Sequence, residues 1–282
     1  MRIPFLCMGL LLMAAAGARA ADETPAPKPA YRVLLVGNSL TYANNLPALL
    51  RAVGAAQGTT ITTETFAAPG GTLNERLEEG HVIRALRDRP FDAMVLQEKG
   101  GHLAACMASA SEQRKAPCAA SRKAYATFAD EARSRGAKVL LEITWGPDER
   151  WDARLSRSIG MIAKDTASQT FNAAAALQAL RASQPGVELL PDGSHPSTQA
   201  SLMLALALYK DITGRMPDAR EFRIKAPLLP VNAAVSPERP LEAQPALAGD
   251  GKVTVVPANL VAPLVDALSK ASGEVVPSGR RR

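Results

Sequence analysis

The chain has 282 residues, room for one large domain or two small ones, and beyond residues 1–20 no apolar run is long enough to cross a bilayer. Its formal net charge of +6 is carried mostly by Arg2, Arg19 and the Arg280–Arg282 tail, and aromatic residues make up only 4%. A near-neutral body without a basic, aromatic-interleaved stripe argues against a nucleic-acid partner, and the arginine tail reads as a solvated terminus.

The first elements are targeting and spacer. Arg2 precedes a short apolar core from Phe5 to Ala16, and Ala18-Arg19-Ala20 is a small–x–small cleavage site. That pattern predicts a signal peptide over 1–20 and an exported protein, periplasmic or secreted, with no stable membrane insertion. Cys7 lacks the small residues that precede a lipidated cysteine. Residues 21–30 are proline-rich and read as a flexible leader.

From Tyr31 onward, strand-length apolar runs alternate with helix-like stretches. Strands are expected at Tyr31–Val36, Thr59–Phe66, Ala93–Gln97 and Lys138–Ile143, with a short one near Thr170–Asn172. Helices are expected at Leu46–Gln57, near Thr72–Glu79, and at Ser121–Arg135, Trp151–Lys164, Ala173–Ala182 and Pro196–Thr213, the last ended by Gly214. This alternation predicts an α/β fold, a three-layer αβα sandwich around a mostly parallel sheet. Residues 226–250 carry several prolines and little periodicity. With a small strand at Lys252–Val256 and a helix at Asn259–Ala271, 226–282 reads as a C-terminal appendage to a main domain over 31–225.

Cys106 and Cys118 flank the polar, small-residue stretch Met107–Pro117 within one expected loop. In an exported chain such a pair can close a loop as a disulfide; two unrelated free thiols fit the same sequence. No histidine stands in ligand register with them, so a metal site is not expected.

The chemistry concentrates in two distant motifs. Gly37-Asn38-Ser39-Leu40 follows the first apolar strand, and Asp192-Gly193-Ser194-His195-Pro196 lies in a tight loop ahead of a late helix. A serine hydroxyl needs a neighbouring base, and the base needs an orienting acid. A turn with a capping serine, and an aspartate cap beside a surface histidine, are the plain structural alternatives.

Taken together these motifs resemble the SGNH/GDSL hydrolase superfamily over roughly Tyr31 to Pro217. The resemblance implies a flavodoxin-like fold, with Ser39 as nucleophile, His195 as general base and Asp192 as the acid that orients it. It also implies an oxyanion hole from the Ser39 and Gly70 backbone N–H groups, with Gly71 as the alternative to Gly70 in Ala68-Pro69-Gly70-Gly71. The family's Gly-x-Asn-Asp motif is missing here. Val95-Leu96-Gln97-Glu98 stands in its place, so Gln97 is the expected third donor, or a residue that merely caps the strand end. Asn38 replaces an aspartate that is not a triad member. Trp145 either lines a substrate pocket or packs, and His81 and His102 match no motif and read as surface residues.

The expected activity is hydrolysis of carboxylic esters with no metal or cofactor. The substrate class implied by resemblance is a small acyl group on a carbohydrate or other polar alcohol. A lipase- or thioesterase-type hydrolase, and a catalytically silent binding protein on the same fold, are the alternatives. The sequence leaves the oligomeric state open.

Overall fold

The computed structural model describes residues 29–273. The signal-like residues 1–20, the leader up to residue 28 and the arginine tail lie outside the described residues. The chain runs β1 (Ala30–Gly37), α1 (Ser39–Tyr42), α2 (Leu46–Ala56), β2 (Thr60–Ala67), α3 (Leu73–Glu78), α4 (His81–Asp88) and β3 (Ala93–Leu96). It continues through α5 (Gly100–Cys106), α6 (Ala110–Arg114), α7 (Ala116–Arg133), β4 (Lys138–Ile143), α8 (Glu149–Asp165), β5 (Gln169–Asn172), α9 (Ala173–Ser183) and α10 (Thr198–Thr213). It closes with β6 (Phe222–Ile224), β7 (Thr254–Val256) and α11 (Ala258–Ser272).

The five strands β1–β5 form one parallel sheet in the order β2-β1-β3-β4-β5, and β6 and β7 pair antiparallel beside it. This is a three-layer αβα sandwich of flavodoxin-like strand order. Both faces of the sheet are covered, so the inner strands β1, β3 and β4 are largely buried apolar runs, while the edge strands β2 and β5 are partly exposed. Val33 and Leu35 point into a core built with α2, α9, α10 and α11; Leu34 and Val36 point into the other, built with α3, α4, α5, α7 and α8. α10 is buried along almost its whole length. Ser197 caps its start, and Gly214 at φ 71° ends it in the left-handed conformation that favours glycine.

Several elements differ from expectation. α4, α5 and α6 fall where no helix is expected, because five to eight residues give too few turns for a periodic signal. α7 begins at Ala116 rather than Ser121, since Pro117 is tolerated in a first turn. Cys106 and Cys118 are joined in a disulfide with Cα atoms 5.3 Å apart, which ties α5 to α7.

Residues 226–250 run across the carboxyl end of the sheet. Leu229, Ala233, Val235 and Leu241 bury against Tyr42 and Ala67 in a third apolar cluster. The Glu242 carboxylate accepts from the Thr63 and Thr65 hydroxyls at 2.6 and 2.9 Å and from the Thr65 N–H at 2.9 Å. This segment therefore roofs α1 and the end of β2.

Candidate active site

Ligands on parallel sheets sit beyond the carboxyl ends of strands where neighbouring connections diverge. β1 is such a place, with β2 on one side and β3 on the other. Ser39 is the first residue of α1, directly after β1. The turn that carries it is fixed from below. Gln97 is 1% exposed at the end of β3, and its Oε1 accepts from the Asn38 N–H at 2.9 Å and the Thr41 hydroxyl at 3.0 Å. A β-carbon at Gly37 would collide with both Thr41 Oγ1 and Gln97 Oε1, so only glycine lets the end of β1 approach α1 and the end of β3 this closely. Asn38 caps α1 by accepting from the Leu40 N–H at 3.1 Å.

Asp192 and His195 meet Ser39 from the loop before α10. His195 Nε2 lies 2.8 Å from Ser39 Oγ, and His195 Nδ1 lies 2.7 Å from Asp192 Oδ2. Asp192 Oδ1 accepts from the Ser194 and His195 N–H groups at 2.9 and 2.7 Å. Those backbone donors, with the imidazole, hold the Asp192 carboxyl down at about 2. It is therefore an anion at neutral pH and can fix one imidazole tautomer, leaving Nε2 to accept the serine proton. Gly193 makes the loop's sharp turn at φ 78°.

The Gly70–Gly71 loop follows β2 and lies beside the Ser39 turn, because β1 and β2 run in register up to Gly37 and Ala67. Asn38 Nδ2 donates to the Gly71 carbonyl at 3.1 Å and ties the two loops together. The Gly71 N–H is committed to the Ala68 carbonyl at 3.1 Å. Gly70 is exposed, at φ 63°, and among the described residues its N–H has no partner. Of the two glycines, Gly70 is the one with a donor left to offer. Gln97 Nε2 donates to the Glu98 carbonyl at 2.8 Å, so only the oxygen end of this amide braces the Ser39 turn, and the nitrogen expected as a third oxyanion donor is engaged with the chain after β3.

Further contacts, centred on Asn44, Trp145 and Glu98, complete the assembly; of these three residues the sequence singles out only Trp145 for a role. Asn44 Nδ2 donates to the Pro196 carbonyl at 2.7 Å and to Ser201 Oγ at 3.0 Å, joining the serine side to the histidine side. Asn44 and Asn45 both take left-handed φ, 53° and 57°, which asparagine tolerates better than most residues. The Asn-Asn pair before Leu46-Pro47 is the sequence signal for that turn. Trp145, just past β4, donates from Nε1 to the Ser194 carbonyl at 2.8 Å. Glu98 is buried and accepts from the Leu73 N–H at 3.2 Å and from Ser121 Oγ at 2.8 Å, while Ser121 Oγ also bonds His102 Nε2 at 2.9 Å. His102 is thus half-buried and partnered rather than a free surface residue. Burial raises the Glu98 carboxyl and, with Lys99 nearby, lowers His102.

Near the end of β4, Glu142 is a buried carboxyl whose Oε1 has no partner among the described residues. Desolvation pushes it up to about 8, so it is uncharged at neutral pH. Among the described residues no cluster of three or more histidine, cysteine or acidic side chains is arranged to hold a metal.

No family model and no curated protein sequence matches this chain. Solved structures share its architecture. A DUF4886 family protein from Bacteroides uniformis is 14% identical, superposes with a TM-score of 0.55, and the match covers 89% of this chain and 98% of that one. TesA is 22% identical with a TM-score of 0.48, covering 65% of this chain and 98% of its own. An acetylxylan esterase from Geobacillus stearothermophilus is 16% identical with a TM-score of 0.49, covering 67% and 97%. At such identities the likeness is one of fold, and the Bacteroides protein carries it over nearly the whole described chain. The chain has an αβα fold with a parallel sheet, and it shares that fold with the Bacteroides protein.

Proposed function

We propose that this protein is an exported serine esterase that removes small acyl groups from a carbohydrate or other polar alcohol. The observation that supports this reading is the unbroken relay Ser39 Oγ–His195 Nε2 at 2.8 Å and His195 Nδ1–Asp192 at 2.7 Å. Ser39 Oγ attacks the ester carbonyl carbon as its proton passes to His195 Nε2. The carbonyl oxygen becomes an anion held by the Ser39 and Gly70 N–H groups, at the head of α1. Collapse breaks the bond to the alcohol, which leaves with the proton from His195. Water then attacks the acyl-serine, again giving a proton to His195, and the acid departs as Ser39 is restored.

A fluorophosphonate probe tests this directly. Wild-type protein is expected to label at Ser39 and to hydrolyse phenyl acetate, while Ser39→Ala does neither and keeps the same melting temperature. A folded wild type that stays unlabelled overturns the hydrolase reading and leaves a binding protein on the same fold. The reading of export rests on the signal-like pattern at 1–20 and is tested by locating the tagged full-length chain after fractionation.

A further inference from the structure

A cavity of about 590 Å³ opens beside the catalytic loop, between the β4–α8 connection, the start of α8, and α9. That is within the usual range for a small-molecule site. It adjoins the loop that carries Asp192 and His195: Trp145 and Gly193 both line it, and Gly193 stands between Asp192 and Ser194. The Trp145 ring is held by its Nε1–H on the Ser194 carbonyl and packs partly on the core. Around it stand Asp152, Gln178 and Arg181. Asp152 is preset, accepting from the Gly146 N–H at 2.7 Å and from Gln178 Nε2 at 3.2 Å. Arg181 is exposed and has no carboxylate partner among the described residues.

A fixed aromatic ring ringed by a carboxylate, an amide and a guanidinium suits a sugar. The ring can face the sugar's C–H surface, and the polar groups match hydroxyls that both donate and accept. Leu177, Leu189 and Leu190 also line the cavity, but an acyl chain packed on them would still strip water from three polar side chains, whereas a sugar can use both kinds of surface. Position says which half of the ester belongs here. The oxyanion donors stand over β1 and β2, whereas the cavity stands over β4 and α9, toward the opposite edge of the sheet. The departing alcohol must reach the proton on His195, so it leaves on the histidine side.

We propose that this cavity is the leaving-group subsite and takes a saccharide as the alcohol half of the ester. Trp145 is its platform, and Gln178 and Arg181 determine specificity. The inference rests on the esterase reading for its catalytic half. The test uses the full chain and a Gln178→Ala/Arg181→Ala double variant. Titration with unesterified cellobiose is expected to give measurable binding to wild type and about tenfold weaker binding to the variant, for two lost hydrogen bonds. The ratio of kcat/KM on 6-O-acetylglucose to that on phenyl acetate is expected to fall about tenfold, through KM. Single Arg181→Gln, at an exposed site on α9, carries the same test if the double variant fails to fold. A wild type that labels with fluorophosphonate but binds no cellobiose, or a ratio unchanged in the variants, overturns the subsite and leaves the esterase. Cellobiose binding that the variants abolish in a protein that never labels overturns the esterase and leaves a saccharide site.

Discussion

The turn that carries Ser39 and the loop that carries Asp192 and His195 meet at one hydrogen bond of 2.8 Å, yet they are supported differently. The serine turn is buried and held by distant parts of the chain. Gln97 braces it from β3, Gly71 receives Asn38 from the loop after β2, and the 226–250 segment receives its other bonds. There the Tyr42 hydroxyl donates to Val231 at 2.7 Å, the Asn44 N–H to Leu229 at 2.8 Å, and Asn45 Nδ2 to Pro227 at 2.9 Å. The loop of Asp192 and His195 is open to solvent, with the Asp192 side chain 48% exposed. It is organised chiefly by bonds within four residues, Asp192 gripping the N–H groups of Ser194 and His195. One half of the relay is thus a tertiary product and the other nearly a local motif. Activity and stability should therefore separate on the histidine side and move together on the serine side.

Asp192→Asn gives the largest expected effect. The amide oxygen can still accept the two backbone N–H groups, so the loop and the melting temperature should hold within a few degrees. The imidazole would lose its anionic partner, and kcat on phenyl acetate should fall about 10³- to 10⁴-fold. A large fall in melting temperature would show that the loop is not locally organised.

Asn44→Ala tests the other side. It removes the bonds to Pro196 and Ser201 and puts a β-branch-free but ordinary residue at φ 53°. Stability should drop by about 2–3 kcal/mol, with kcat down about tenfold or more because Ser39 and His195 lose their shared tie. Asn44→Gly keeps the left-handed backbone and should recover part of the stability but none of the lost bonds. Melting curves and steady-state kinetics on all three proteins decide it.

The same division explains what the sequence made legible. Asp192-Gly193-Ser194-His195-Pro196 can be read because its geometry is largely set by its own turn residues. The inner strands β1 and β4 can be read because both faces of the sheet are buried there, with β1 running one residue past the expected Val36. Asn44 could not be assigned a role, because its partners Pro196 and Ser201 stand more than 150 positions away. Gln97 was visible as an amide at the right strand end, but nothing local shows that its oxygen would turn under Gly37 and its nitrogen to Glu98. The 226–250 segment lacks periodicity because its backbone packs irregularly over α1 instead of forming a repeating element.

Trp145→Phe is a finer probe, since Trp145 is a long-range tie on the locally organised side. Phenylalanine keeps most of the ring and loses the N–H that fixes the Ser194 carbonyl. One neutral hydrogen bond is worth about 1 kcal/mol, so kcat on phenyl acetate should fall about fivefold with little change in melting temperature. No change in kcat would mean that Asp192 alone sets the histidine.

Stability, rather than turnover, separates the Asp192 and Glu142 carboxyls by pH. Asp192 is held at about 2, below the ordinary carboxylate value of 3.8, so its bonds stabilise the fold above about pH 4 and that contribution fades as pH falls through 2. Glu142 has the opposite sign. Burial raises it to about 8 from 4.5, so the folded chain holds a proton that the unfolded chain releases. Its neutral form suits the interior fully below about pH 4.5, and stability declines as pH rises from there through 8. Glu142→Gln keeps the neutral shape and removes the titration. Its melting temperature relative to wild type should rise steadily between pH 5 and pH 8 and level off beyond, while the acid limb stays as in wild type. Asp192→Asn should alter only the acid limb. A Glu142→Gln profile parallel to wild type across pH 5–8 would mean that the carboxyl at the end of β4 already ionises inside the fold, and that the buried side of the site is wetter than its packing indicates.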